Sequence, residues 1–205
     1  MSFRSQITVA ALGCTVLAAS ALSAQAPDTL VARVAAPKTS GWEFQMTGGD
    51  VLPTGHQRDA IKRGKMSAAQ LTYAVQPALA LTATAGWART NDITSAGDPK
   101  LDVFTYDMGA ELRGTRMNEG GDFTFRPFAG AGAGGRSYNY RDLDVDATHN
   151  VAAYGSLGGD FGIHRVQLRI EARDYVSGFK PLVGVGSSDA RNDVITMVGI
   201  RIAKP

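Results

Sequence analysis

The sequence predicts an all-β protein: an eight-stranded antiparallel up-and-down transmembrane β-barrel that follows a cleaved signal peptide. From Gly41 onward, apolar and polar residues alternate with a period of two in eight successive runs. The connections between these runs alternate between long and short. No later segment is apolar over the ~20 residues that a membrane-spanning helix needs. Inside a bilayer, only helices and closed barrels can hydrogen-bond all their backbone polar groups, so a membrane-spanning chain of this kind must form a closed barrel.

The N-terminal residues read as an export signal. Arg4 supplies the positive start, Ile7 to Leu22 form an apolar run, and small residues around Ala24 offer a cleavage site. We therefore expect a signal peptide over residues 1–24. Residues 25–40, rich in Ala, Pro, Thr and Ser, have no period and suggest a flexible periplasmic lead-in, and residues 41–205 form the barrel. Cys14 is the single cysteine and leaves with the signal, so we expect no disulfide.

The eight runs are close to the ~9–11 residues of a tilted membrane strand. Most alternate residues are apolar over residues 42–46, 69–75, 79–87, 104–112, 123–131, 151–163, 166–172 and 194–202. The long connections are predicted at Asp50–Lys65, Asn91–Lys100, Arg141–His149 and Ser177–Arg191. The short ones centre on Gln76-Pro77, Gly114–Gly121 and His164-Arg165. Tight periplasmic turns and longer outer loops are typical of a barrel with both termini in the periplasm.

The composition of the two faces predicts which one meets lipid. The apolar faces hold almost no charge, whereas the polar faces carry both signs and many glycines, which leave room for long side chains in a narrow lumen. We therefore expect a barrel plugged by a lumen charge network: Glu43, Asp107, Glu111, Arg113, Arg126, Asp160, Arg169, Glu171, Arg173, Asp193 and Arg201. Aromatic residues toward the strand ends predict girdles at the membrane surfaces: Trp42, Phe44, Tyr73, Trp87, Phe104, Tyr106, Phe123 and Phe125.

Three segments resemble the small outer-membrane β-barrel family that includes the outer membrane protein A barrel and the outer membrane protein X type. They are Arg126–Gly132, Leu168–Tyr175 and the Leu71–Leu81 hairpin. The resemblance implies a place in the cell outer membrane after export, with membrane lipid, lipopolysaccharide and the outer-membrane insertion machinery as partners, and a monomer. The chain departs from the family pattern at its end, which reads Ile202-Ala203-Lys204-Pro205 where members end on an aromatic residue.

The residues suggest no catalytic, cofactor or metal site. Asp142, Asp144 and Asp146 open like a calcium loop, but Ala147 and Ala153 occupy the positions where such a loop has glycine and glutamate. An acidic solvated loop is the main interpretation, with weak divalent-cation binding as the alternative. The histidines lack ligand spacing, and the net charge of +2 gives no reason to expect a nucleic-acid partner.

We therefore expect a non-enzymatic barrel with a structural or surface-interaction role. A lipid-modifying enzyme or ligand-binding barrel, and a soluble periplasmic barrel with its faces reversed, are the alternatives. A basic cluster in the first long loop predicts a contact with lipopolysaccharide: Arg58, Lys62, Arg63 and Lys65.

Overall fold

The structure is a computed structural model that describes residues 41–118, 123–163, 166–179 and 189–203. The predicted signal peptide (1–24), the lead-in (25–40) and Cys14 lie outside the described residues. So does the interior of the connection between the last two strands. Among the described residues, no helix is long and apolar enough to cross a membrane.

Eight antiparallel strands close into a barrel in which each strand pairs with its neighbours in sequence and the last pairs with the first. A short 3-10 helix, Gly55–Asp59, follows the first strand. The predicted eight-stranded antiparallel up-and-down β-barrel is therefore confirmed. The strands are β1 (Gly41–Thr54), β2 (Gly64–Gln76), β3 (Leu79–Asn91), β4 (Lys100–Arg113), β5 (Thr124–Tyr140), β6 (Thr148–Ile163), β7 (Val166–Phe179) and β8 (Asp189–Ala203).

The strand register fixes the tilt of the barrel. Following paired residues once around from Phe44 leads through Leu71, Ala83 and five further strands back to Thr54 on β1, ten residues beyond the start. With ~3.3 Å per residue and ~4.8 Å between strands, that stagger tilts the eight strands by roughly 40° from the barrel axis. This is the tilt of membrane barrels.

The two faces of the strands point as predicted through most of the barrel. On β7, Leu168 and Ile170 face outward with 41% and 46% of their surface exposed, whereas the alternating Arg169 and Glu171 face the lumen and are buried. Large apolar side chains cover the outside of the other strands as well. A soluble barrel would place these faces the other way round, so the reversed-face alternative does not fit.

Toward the end of the barrel that carries Gly55–Arg63, here called the loop end, the polarity of the faces is inverted. On β1, Asp50 points outward and Val51 is buried; on β2, Lys65 is exposed and Met66 is buried. Inside the barrel at this level the side chains form an apolar cluster that includes Leu101, Tyr138, Tyr140, Ile195 and Met197. Apolar inside and polar outside is the arrangement of a barrel in water, so the inversion marks where the lipid-facing zone ends.

Aromatic pairs lie at the two borders of this zone. Trp42 and Tyr73 meet at the opposite end, the turn end, with ring centroids 4.9 Å apart, and Trp87 stacks on Phe104 at 6.5 Å near the inversion. The register relates Trp87 to Gly48, six residues beyond Trp42 and two strands away. The strand tilt therefore puts Trp87 roughly 20 Å above Trp42, close to the ~25 Å apolar band of outer-membrane barrels.

Two sequence predictions about lengths are wrong. The strands have 13 to 17 residues, more than predicted, because they continue beyond the lipid-facing zone at the loop end. The first long connection therefore shrinks to residues 55–63.

The second short connection spans residues 114–123 and is longer than the outer loop 141–147. Within it, Met117 and Phe125 form a bridge with backbone hydrogen bonds of 2.8 and 3.2 Å, so the connection is not a tight turn. The predicted alternation of long and short connections is therefore wrong at this position.

Candidate functional site

The lumen contains a closed ring of alternating acidic and basic side chains, called the ion ring below. Five strands contribute to it, each from its inward face. The three arginines have only 1–2% of their side-chain surface exposed. Each charged side chain in the ring forms ion pairs with two side chains of opposite charge, so none of the buried charges is unpaired. In order around the ring the members are Glu43, Arg113, Glu111, Arg169, Asp160 and Arg201.

One half of the ring is organised by Arg113. Its Nη2 lies 2.6 Å from Glu43 Oε2 and its Nη1 lies 3.0 Å from Glu43 Oε1, a bidentate pair, while its Nε donates to Glu111 Oε1 at 2.7 Å. Glu111 also accepts from Arg169. Glu111 and Arg113 lie two apart on β4, so strand alternation points both into the lumen.

The other half closes through Asp160 and Arg201. Arg169 Nη1 lies 3.3 Å from Asp160 Oδ1, and Arg201 Nη1 lies 2.8 Å from Asp160 Oδ2. Arg201 Nη1 is also 3.3 Å from Glu43 Oε2, which returns the ring to its start. Two nitrogen atoms of Arg201, Nε and Nη2, have no hydrogen-bond partner among the described residues. The ring is thus continuous but not fully hydrogen-bonded.

A branch leads from Arg169 toward the loop end. Arg169 Nε donates to Glu171 at 2.9 Å, and Arg173 Nε donates to the same carboxylate at 2.6 Å. Arg173 reaches across the lumen to Asp107 at 3.2 Å, and the Tyr175 hydroxyl donates to Asp107 at 2.7 Å. The branch joins β7 to β4 on the far side, so it ties strands together that do not pair.

Arg136 and Asp193 form a separate buried ion pair nearer the loop end. The Arg136 guanidinium lies 5.8 Å from the Tyr138 ring and 5.2 Å from the Tyr175 ring. The predicted network included Asp193 but not Arg136, although strand alternation places Arg136 on the polar face of β5. Counting charges on that face would have found it.

Apart from Asp193, which pairs with Arg136 outside the ion ring and its branch, Arg126 is the predicted member that the structure does not bring into the network. It lies near the turn end and is half-buried, and its guanidinium donates to the backbone oxygens of Gly114, at 3.1 Å, and Pro77. No carboxylate of the described residues lies within ion-pairing distance of it. Arg126 lies two residues before Phe128 on β5, close to the rim of the barrel. The connections at that rim therefore supply its hydrogen-bond acceptors.

Aromatic side chains pack around the ion ring. The Arg169 guanidinium lies 3.4 Å from the centroid of the Phe128 ring, a close cation–π contact. Gly158 makes room for that ring, since a Cβ there would be 2.3 Å from its Cζ; at Gly132 a Cβ would be 2.6 Å from a Tyr154 ring carbon. These lumen glycines give space to the aromatic side chains, as the sequence predicted.

The loop end of the lumen is covered by the first two outer loops. Gln57, Ala60 and Ile61 are buried, and Ile61 bridges to Asp92 in the second loop. Asp92 is itself buried and accepts from the Tyr140 hydroxyl at 2.5 Å. The sequence predicts only long connections here, because the apolar pair Ala60-Ile61 is too short to show a period that would indicate burial.

The predicted basic cluster is not a single cluster. Lys62 pairs with Asp98 at 2.6 Å, whereas Arg63 and Lys65 both pair with Asp50, at 3.2 and 2.9 Å. Arg58 is exposed in the 3-10 helix and has no ion pair with a described residue. Among the residues of the barrel that the structure describes, no group of three His, Cys, Asp or Glu residues could hold a metal ion.

A closed eight-stranded barrel with an apolar outer face and an ionic lumen is the fold of the small outer-membrane β-barrels. The structure resembles that of Neisserial surface protein A, with a TM-score of 0.53 and 14% identity over 80% of this chain and 98% of that one. Weaker matches are the N-terminal barrel of Pseudomonas aeruginosa OprF (TM-score 0.45, 10% identity, 80% and 98% coverage) and Yersinia pestis Ail, the attachment invasion locus protein (0.43, 14%, 80% and 99%). The sequence matches no protein-family model and no curated protein.

Proposed function

We propose that this chain is an integral protein of the cell outer membrane, reached after export, with a non-enzymatic structural or surface-interaction role. Its partners are the membrane lipid, lipopolysaccharide and the insertion machinery, and it works as a monomer. In this proposal the short connection Pro77-Ala78 lies at the periplasmic side, and the loop end faces outward. The lumen stabilises the barrel and does not conduct solutes.

The ion ring is the observation that supports this proposal most. Its arginines are almost fully buried, and they span the lumen from β4 to β7 and β8. Above the ring, the branch through Arg173 and the apolar cluster fill the rest of the interior. An interior of eight strands is only wide enough for its side chains, which favours a plug over a pore.

Semi-native electrophoresis of the outer-membrane fraction tests location and fold together. We expect the protein in that fraction, and we expect the unboiled protein to migrate faster than the boiled one because the closed barrel resists detergent. Recovery in the soluble periplasmic fraction with no mobility difference would contradict the proposal.

Solute uptake tests the closed lumen. Liposomes that contain the protein should swell in a small sugar no faster than protein-free liposomes, since the described lumen side chains leave little free cross-section. A wide porin provides the positive control. Swelling at a rate comparable with that control would mean that the lumen conducts.

A further inference from the structure

The outer surface carries an unusual pair of like charges at the level where the polarity inverts. Lys65 on β2 and Arg89 on β3 are direct cross-strand partners, and both side chains are exposed. Like charges placed directly opposite each other in a sheet are destabilising. Arg63, two residues before Lys65, adds a third positive charge to the same surface.

The neighbouring carboxylates do not fully neutralise the positive charge of this surface. Asp50 accepts from both Lys65, at 2.9 Å, and Arg63, at 3.2 Å. The partner of Arg89 on its other side is Asp102, but Asp102 is engaged by Arg141. Of the described residues, no carboxylate lies within ion-pairing distance of Arg89. Arg63 and Lys65 therefore share one carboxylate while Arg89 has no ion pair with a described residue, and an oxyanion between Lys65 and Arg89 would relieve their repulsion.

The position of the pair indicates what kind of oxyanion is available. The Arg89 guanidinium lies 4.0 Å from the centroid of Trp87, the aromatic residue that marks the upper border of the lipid-facing zone. Ser67, the cross-strand partner of Trp87, is exposed on the same face. Arg89 is two residues beyond Trp87, so its charge lies just outside the apolar band, at the depth of lipid headgroups.

We propose that Lys65 and Arg89, with Arg63 beside them, bind a phosphate of lipopolysaccharide in the outer leaflet, while Trp87 contacts the apolar part of the same molecule. The arginine can present two N–H donors to one phosphate, and the lysine adds a point charge. The site differs from the cluster that the sequence predicted, because Arg58 and Lys62 are not part of it. The inference rests on the proposed outer-membrane location.

Native mass spectrometry of the folded full-length protein in detergent tests the site. We expect the protein to retain bisphosphorylated lipid A, with Arg89→Gln and Lys65→Gln each weakening binding by about five-fold, the effect of one basic residue at a charged membrane surface. The matched control is Lys100→Gln, another exposed cation at the loop end, which pairs with Asp142 at 3.3 Å. It should bind as the unaltered protein does.

The ligand arms separate the possible sources of phosphate. Dephosphorylated lipid A should bind as weakly to the unaltered protein as to the two variants, and phosphatidylglycerol should bind more weakly than bisphosphorylated lipid A. Equal retention of either lipid would overturn the proposal, as would unchanged binding by both variants. All variants are first checked for the heat-dependent mobility shift. If the unaltered protein shows no heat-dependent mobility shift, that result would instead count against the proposed function.

Discussion

Replacing Arg169 by alanine is expected to lower the free energy of unfolding by about 3–5 kcal/mol, the usual cost of breaking a buried ion pair from one side. Arg169 contacts Glu111, Asp160 and Glu171, and its guanidinium lies over Phe128. Its loss leaves three carboxylates in the lumen with fewer positive neighbours. Urea titration of the protein folded into lipid vesicles measures the change.

Two companion variants show whether the charge deficit causes the loss. Arg58→Ala removes an exposed arginine without an ion pair to a described residue and should change stability by no more than about 0.5 kcal/mol. Adding Glu111→Gln and Glu171→Gln to Arg169→Met should recover part of the loss, because fewer buried charges are left unpaired. If Arg169→Ala costs no more than Arg58→Ala, the ion ring does not stabilise the barrel.

Placing an arginine at Ile170, next to Arg169 but on the opposite face, should cost about 2–4 kcal/mol, the cost of a charge at the bilayer midplane. The register relates Ile170 through Val198 to Gly48 and puts it roughly 10 Å above the level of Trp42, near the middle of the lipid-facing zone. Vesicle folding yield and urea titration measure the effect.

Val151→Arg is the matched control for Ile170→Arg. Val151 also points outward and is 83% exposed, but it lies near the loop end of β6, so its arginine should cost only about 0–1 kcal/mol. Equal, small costs at the two positions would mean that the outward face does not meet lipid.

The faces of the strands were predictable because one physical rule governs them. Side chains alternate across a strand, so Leu168 and Ile170 had to share a face opposite Arg169 and Glu171. The absence of charge on the first face then indicated lipid. Alternation along a strand is independent of tertiary structure, so the sequence places the lumen residues on the correct face even though it does not reveal which strands meet.

The pairing within the site could not be read from the sequence. Arg113 and Glu43 are 70 residues apart, and Arg173 and Asp107 are 66 apart. Which inward residues reach each other depends on the ten-residue stagger of the closed barrel, and that stagger is the sum of all eight strand registers. Arg126 illustrates the limit, since its face is correct and Asp160 of the ion ring is its cross-strand partner, yet its guanidinium donates to the backbone oxygens of Gly114 and Pro77.

The loop end differs most from the sequence predictions because the polarity of the two strand faces changes along the length of a strand. Asp50-Val51 and Lys65-Met66 continue the alternation with opposite polarity, a change that in sequence resembles the end of a strand. In the structure the strands continue into water, where the apolar residue belongs inside. The inversion itself was visible in the sequence and would have lengthened the predicted strands.

Spin-label accessibility along β7 tests the central claim most directly. Single cysteines at the outward positions 168, 170, 172, 174 and 176, in a background with Cys14 replaced by serine, would carry the label. We expect positions 168 to 172 to be accessible to oxygen and shielded from a water-soluble nickel complex, with nickel accessibility rising at 174 and 176, where the polarity inverts. High nickel accessibility at all five positions would contradict the lipid-facing assignment.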